Sequence, residues 1–348
     1  MTQKERLDFL VDRFREDSVQ YRDLEVESTY EGKRMALRSL MNIRMPRAMA
    51  QETLTVQDEF LAEEAKEKGI VTLEEIPTVK QQYGSSHRFA DKISIWQGDI
   101  TRLSVDAIVN AANSRMLGCF VPCHRCIDNA IHSAAGIELR AECNHQMNRR
   151  KIQYGLHYEE PTGQAMLTKG YNLPAKHVIH TVGPIVEGRL TDGLQKDLEN
   201  CYRSVLECCV GNGLRSVAFC CISTGEFHFP NDEAAKIAVG TVSRFLEEHE
   251  TEFDRIIFNV FKCEDQELYE KEMEKGDMES KFDVVNKDMT MGELLELDRG
   301  VSEVLMNAGI HCIGCPSSIG ESLEEACIAH GIDTEILVQQ VRRYFMER

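Results

Sequence analysis

An α/β sandwich flanked by helical segments is the fold class this sequence predicts, and three observations carry it. From about residue 92 to 273, short apolar runs alternate with helix-patterned stretches, the texture of a largely buried sheet covered by helices. Before and after that region, apolar residues recur at helical spacing without strand-like runs. The loops richest in reactive side chains all follow strand-like runs, where open α/β sheets place their ligands.

Residues 1–88 read as a helical N-terminal extension. Leu7, Leu10, Val11 and Phe14 share one helical face, and Leu37, Leu40 and Met41 share another. The polar stretch QQYGSSHRF, 81–89, marks a junction. Within the central domain, 89–275, the strand candidates are ISIWQ (93–97), AIVNAA (107–112), HVIHTV (177–182), SVAFCCI (216–222) and RIIFNVF (255–261). Helices are expected over 126–135, 193–212 and 232–249. The run EKEMEKGDMESKFD, 270–283, reads as a charge-rich, solvated connector. A small all-α module completes the chain over 276–348, with three or four helices and a Cys312-x-x-Cys315 turn.

Composition narrows the partners. A chain of 348 residues has length for two or three domains, and 42% apolar with 28% charged residues is ordinary for a soluble protein. No apolar run approaches the roughly 18 residues of a membrane helix, and the polar start MTQKERLDFL lacks a signal-peptide core. A cytoplasmic protein with no membrane partner is the expectation. The net charge of −18 argues against nucleic acid, whose phosphates select basic surfaces. A small phosphorylated ligand stays open, because backbone N–H groups in turns and at helix N-termini cradle phosphate without lysines. Thirteen cysteines without an export signal suggest metal ligands and redox thiols over disulfides. Cys201, Cys208, Cys209, Cys220, Cys221 and Cys263 lie in apolar-periodic segments and read as small core residues.

The strongest chemical signal is the loop LGCFVPCHRC, 117–126. Cys119, His124 and Cys126, spaced C-x4-H-x-C, suit a zinc ion with one coordination position left open, the mark of a catalytic site. Cys123 and Cys126 also form a C-x-x-C, so a redox dithiol is the competing reading. His132 follows Asp128 by four residues and reads as its structural partner on one helical face. Asp99, in QGDI, offers a carboxylate to an exocyclic amine, or a turn cap. Asn110 and Asn113 end a strand with amides able to grip sugar hydroxyls or orient a water. Ser223, Thr224, Gly225, Glu226 and Phe227 join a strand to a helix and read as a phosphate cradle or as an ordinary connecting turn.

The order and spacing of QGDIT, VDAIVNAANS, IDNAIHSAAG, GQAMLTKGYNLPAKHVIHTVGP and ISTGEFHFPNDEAA resemble the macrodomain family. That resemblance implies a three-layer α/β/α module that binds ADP-ribose and, in many members, hydrolyses its link to protein. GCFVPCHRC replaces the glycine run usual after NAANS, which, with the helical extension, is similar to the zinc-containing subfamily associated with sirtuin-type ADP-ribosyltransferases. The resemblance implies one Zn2+ held by Cys119, His124 and Cys126, with Cys123 in reserve. It implies that Asp99 and Ile100 hold the adenine and that Asn110 and Asn113 approach the distal ribose. Residues 223–227 would wrap the diphosphate, and Asp128 would match the aspartate of the catalytic helix. Gly163–Ala165 and His180–Pro184 look like fold-forming loops.

The tail is similar to a small helical module marked by an HC-x-G-C-P turn, here His311–Pro316, which implies redox or metal chemistry at Cys312 and Cys315. The expected function is zinc-dependent removal of mono-ADP-ribose from modified protein, with Asn113 and Asp128 as catalytic residues. Two alternatives stand beside it: a reader that binds ADP-ribose without cleavage, and a sensor acting through Cys312 and Cys315.

Overall fold

The computed structural model describes residues 1–311 and 319–346. The chain forms two compact units, one of residues 1–84 and 89–270, the other of 85–88 and 271–348.

The first unit opens with three helices, α1 (Gln3–Glu16), α2 (Tyr30–Ile43) and α3 (Gln51–Glu67). Thr2 starts α1 with a capping box: its hydroxyl accepts from the Glu5 N–H while the Glu5 carboxylate accepts from the Thr2 N–H. The expected seams do the packing. Leu7, Leu10, Val11 and Phe14 of α1 close on Leu37, Leu40 and Met41 of α2 and on Val56, Phe60 and Leu61 of α3. A short strand, β1 (Val71–Thr72), and helix α4 (Val79–Tyr83) lead to β2 (Ile93–Gln97); β3 (Leu103–Ser104) pairs in parallel with β1.

The main sheet then alternates with helices through β4 (Ala107–Ala112), α5 (Ile127–Ala135), α6 (Ile137–Tyr154), β5 (Ala165–Lys169), β6 (His177–Val182), α7 (Asp192–Asn212), β7 (Ser216–Phe219), α8 (Asn231–His249) and β8 (Arg255–Val260). Its six strands run in the order β2-β8-β7-β4-β6-β5, parallel except for β5 against β6. The main sheet is covered on both sides, by α6 on one and α7 on the other, and two contacts at β6 mark them. The His180 ring reaches Cys143 of α6, while the sulfur of Cys201 on α7 donates to the backbone of Val182. This is the three-layer α/β/α arrangement. Strand interiors buried on both faces explain the continuous apolar runs.

Several elements differ from expectation. The strand over SVAFCCI stops at Phe219, and the one over RIIFNVF stops at Val260, leaving Phe261 77% exposed. Helix α6 and strand β5 were not expected. The few buried apolar residues of α6 (Ile137, Leu139, Cys143 and Met147) are scattered among charges, so its periodicity is faint. The charge-rich connector is helical: 270–283 lies within α9 (Cys263–Val284). Glutamate and lysine are good helix formers, so a charge-rich run need not be irregular.

The second unit has its own apolar core. Helices α10 (Met291–Leu297), α11 (Val301–Asn307), α12 (Leu323–His330) and α13 (Thr334–Met346) gather Leu294, Val301, Leu305, Leu323, Cys327, Leu337 and Val341. Cys312 and Cys315, expected to be redox or metal residues, lie outside the described residues. Among the described residues, no helix is long and apolar enough to cross a membrane.

Candidate active site and metal centre

Strands β4 and β7 are paired neighbours, so the loops leaving their carboxyl ends face each other across the edge of the sheet. Between them lies a cleft of about 640 Å³. One wall is Asn113–Arg115, then Gly118–Phe120 and His124–Asp128; the other is Ser223 and Gly225–Phe227. Both loops are bent into backbone conformations that side chains disfavour: Met116 (φ 59°), Cys123 (φ 50°), Ser223 (φ 65°) and His228 (φ 53°). Such strain gathers at ligand sites and needs surrounding structure to hold it. Gly183 supplies part of that: a Cβ there would sit 2.0 Å from the Ser223 hydroxyl.

Cys119, His124 and Cys126 come together as expected, with their ligand atoms within 4.8 Å of one another. The Cys119 sulfur is 3.7 Å from His124 Nδ1, and His124 Nε2 is 3.7 Å from the Glu226 carboxylate on the opposite wall. Cys126 is the N-cap of α5, its sulfur accepting from the Asn129 N–H at 3.4 Å. Burial pushes the Cys126 thiol up, since a thiolate there would lose solvation. A cation between the three side chains would reverse that preference. Two sulfurs and one imidazole at this separation fit a zinc ion, whose open site would face the cleft. Cys123 stands apart: its sulfur lies 3.2 Å from the Ser39 hydroxyl, and it is not among the cleft-lining residues.

Asp128, in the first turn of α5, is 5% exposed at the floor of the cleft. Burial raises its carboxyl to about 6, against the opposing pull of the Asn110 hydrogen bond and the Arg140 charge. Asn110 donates to Asp128 Oδ1 at 2.8 Å, and Asn113 reaches Oδ2 at 3.4 Å. Asn110 is fully buried and also contacts His180 Nδ1 at 3.0 Å, so it sits beneath the ligand surface and not upon it. The register that pairs Asn110 with His180 across β4 and β6 fixes this contact. His180 Nε2 lies 3.0 Å from the Thr168 hydroxyl. Burial holds the His180 ring neutral, down to about 3, and drives His132 well below its usual range. His132 Nε2 is 3.5 Å from Asp128 Oδ1, a close neighbour without an ion pair's charge.

Other expected site residues fall elsewhere. Asp99 caps the short turn after β2, its Oδ1 accepting from the Thr101 N–H at 3.0 Å and hydroxyl at 2.7 Å. Ile100 is 1% exposed, and neither residue lines the cleft. Thr224 turns its hydroxyl to the Cys221 carbonyl at 3.1 Å and is also absent from the lining. The loop closes on itself through Phe229 N–H to the Ser223 carbonyl and His228 N–H to the Gly225 carbonyl. The amides of Gly225, Glu226 and Phe227 make no backbone hydrogen bond among the described residues. That leaves N–H groups to receive an anion. Sequence reasoning missed Arg38, Asn42, Asn129 and Arg140, which grip the 117–126 loop, because bonds to its backbone groups leave no spacing signal.

The Macro domain family model matches residues 109–238, and a Domain of unknown function (DUF1858) matches 285–338. A Protein-ADP-ribose hydrolase from Treponema medium is 44% identical over 273 residues, covering 78% of this chain and 100% of that protein. A protein of the same name from Staphylococcus aureus (strain MRSA252) is 39% identical over 269 residues, covering 77% of this chain and 95% of its own. The crystal structure of a Trypanosoma brucei macrodomain in complex with ADP-ribose superposes with a TM-score of 0.51 at 33% identity, covering 67% of this chain and 94% of that one.

Proposed function

The chain belongs to the macrodomain protein-ADP-ribose hydrolases, and we propose that it removes mono-ADP-ribose from modified protein by zinc-dependent hydrolysis. One observation carries the zinc assignment: three soft donors within 4.8 Å of one another share a cleft wall with Asp128 and Asn113. Zinc bound by Cys119, His124 and Cys126 would supply a Lewis acid beside the scissile bond.

The chain's own residues do the rest. Free amides at Gly225–Phe227 and the bent Ser223 receive the diphosphate. Asn113, its Nδ2 donating to the Gly118 carbonyl at 3.3 Å, meets the distal ribose at the foot of the metal loop. Asp128 orients a water and accepts its proton; a carboxyl raised toward 6 is a better base than a free aspartate and is still mostly ionised near neutral pH. Assignment of the adenine to Asp99 and Ile100 rests on the family resemblance alone, and so does a sirtuin-type transferase as the source of the modification. The hydrolase names of the relatives favour cleavage over binding alone.

The test is metal analysis of the purified chain beside single-turnover release of ADP-ribose from mono-ADP-ribosylated protein, with and without chelator. Equimolar zinc and chelator-sensitive release are expected. Full release from a metal-free enzyme would remove zinc from the mechanism.

A further inference from the structure

The metal loop is not self-supporting, and much of its support comes from the N-terminal helices. Arg38 of α2 donates through Nη2 to the backbone carbonyl of His124 at 3.1 Å and to Asn129 Oδ1 at 2.6 Å. Asn129 in turn donates its side-chain amide to the Val121 carbonyl at 2.9 Å and its backbone N–H to the Cys126 sulfur. One turn further along α2, Asn42 accepts from the Cys123 N–H at 2.9 Å and donates to the Ser133 hydroxyl at 2.9 Å. Asn42 is 1% exposed, so neither bond has water to replace it.

Arg140 of α6 closes the assembly. Its guanidinium donates to the carbonyls of Leu117 and Cys119 in the loop, and to Met41, Asn42 and Arg44 at the end of α2. The same group lies 4.2 Å from the centre of the Phe120 ring. Each of the three metal-ligating residues is therefore tied by a named bond: Cys119 through Arg140, His124 through Arg38, and Cys126 through Asn129.

We propose that helix α2 is an outer support of the metal site, with Arg38 and Asn42 as positioning residues that set its affinity for zinc. This rests on the zinc reading above. The physical reason is that three donors from one short loop bind a cation tightly only if the loop already holds them at coordination distance. Residues that orient ligands from behind typically change metal affinity by roughly 10–100-fold when removed. The strained Cys123 backbone, held by Asn42, is what a loop without that support would relax first.

The experiment uses the full chain and reads zinc affinity by competition with a chromophoric chelator, with metal-free melting temperature and ADP-ribose affinity measured alongside. Arg38→Ala and Asn42→Ala are expected to weaken zinc binding by roughly 10–100-fold. Arg38→Lys recovers part of the loss by keeping one donor, and ADP-ribose affinity stays near wild type in all three. Arg6→Ala is the structural control, because it removes the α1–α3 ion pair to Glu59 away from the loop. It should lower the melting temperature and leave zinc affinity alone. Wild-type zinc affinity in Arg38→Ala and Asn42→Ala overturns the proposal, as does an equal loss in Arg6→Ala. If Arg38→Ala fails to fold, Asn42→Ala and Arg38→Lys decide. A wild-type chain that binds no zinc defeats the zinc reading together with this one, and its own arm of the assay separates that result from the others.

Discussion

The loop carrying Cys119, His124 and Cys126 is braced from outside itself, by Arg38 and Asn42 of α2 and Arg140 of α6. The loop from Ser223 to Phe227 is held mainly by its own backbone and by the Val186 N–H on the Phe227 carbonyl. The difference fits the chemistry proposed for each wall. A cation needs several ligand atoms fixed at once, and a short loop supplies them only if its carbonyls and amides are already spent on buried partners. A diphosphate needs donors that are not yet spent, and the amides of Gly225–Phe227 make no backbone hydrogen bond among the described residues. One wall is braced from outside, and the other keeps unspent N–H groups.

Substitutions on the two walls should therefore fail differently. The largest effect is expected on the wall proposed to hold zinc. His124→Ala should lower single-turnover release about a thousandfold, equivalent to ~4 kcal/mol, while calorimetric ADP-ribose affinity changes little. Equal losses in both measurements would erase the distinction between the walls. At the floor they share, Asp128→Asn should cost about a hundredfold or more in release at saturating substrate, as loss of a general base does. Release at the wild-type rate would take Asp128 out of the proton transfer.

The floor also predicts a pH dependence of stability. Burial holds His180 neutral down to about 3 in the folded chain, whereas an unfolded histidine takes its proton near about 6.5. The folded-state value is the depressed one, so the unfolded chain binds the extra proton. Its contribution is complete above about pH 6.5 and is lost progressively as pH falls toward 3, reaching about 2 kcal/mol at about pH 5. Urea midpoints near neutral pH and at about pH 5 should show this slope in wild type and a flatter one in His180→Gln. The smallest effect belongs to the wall proposed to hold the diphosphate. Gly183→Ala drives a Cβ into the Ser223 hydroxyl and should weaken ADP-ribose binding about tenfold, or ~1.4 kcal/mol, with release at saturation nearly unchanged. A fall in release with unchanged affinity would show that Ser223 serves the reaction and not the grip.

Legibility in the sequence followed the range of the interaction. The α1 and α2 seams, five of the six main strands and the clustering of Cys119, His124 and Cys126 were readable, because each is a local spacing of residue types. Helix α6 was not, since its buried positions are few and its central residue, Arg140, looks like any surface charge. Asn110 and Asn113 look equivalent in NAAN, yet Asn110 lies inside β4 and is buried where it meets His180, whereas Asn113 lies one residue past the end of the strand. Asp99 by itself read more readily as a cap than as a ligand, and its carboxylate does cap the Thr101 amide two residues on.

The sequence alone determined which residue types would meet. Strand periodicity set the sheet, helical seams set the N-terminal bundle, and C-x4-H-x-C put two sulfurs and an imidazole on one short loop. Only the tertiary structure decided what holds that loop in place. The carbonyls of His124 and Cys119 find their partners 86 residues upstream at Arg38 and 21 downstream at Arg140. A hydrogen bond to a backbone carbonyl is indifferent to the side chain it passes. No pattern of residue types can announce it, and packing of α2 and α6 around the loop is what brings donor and acceptor together.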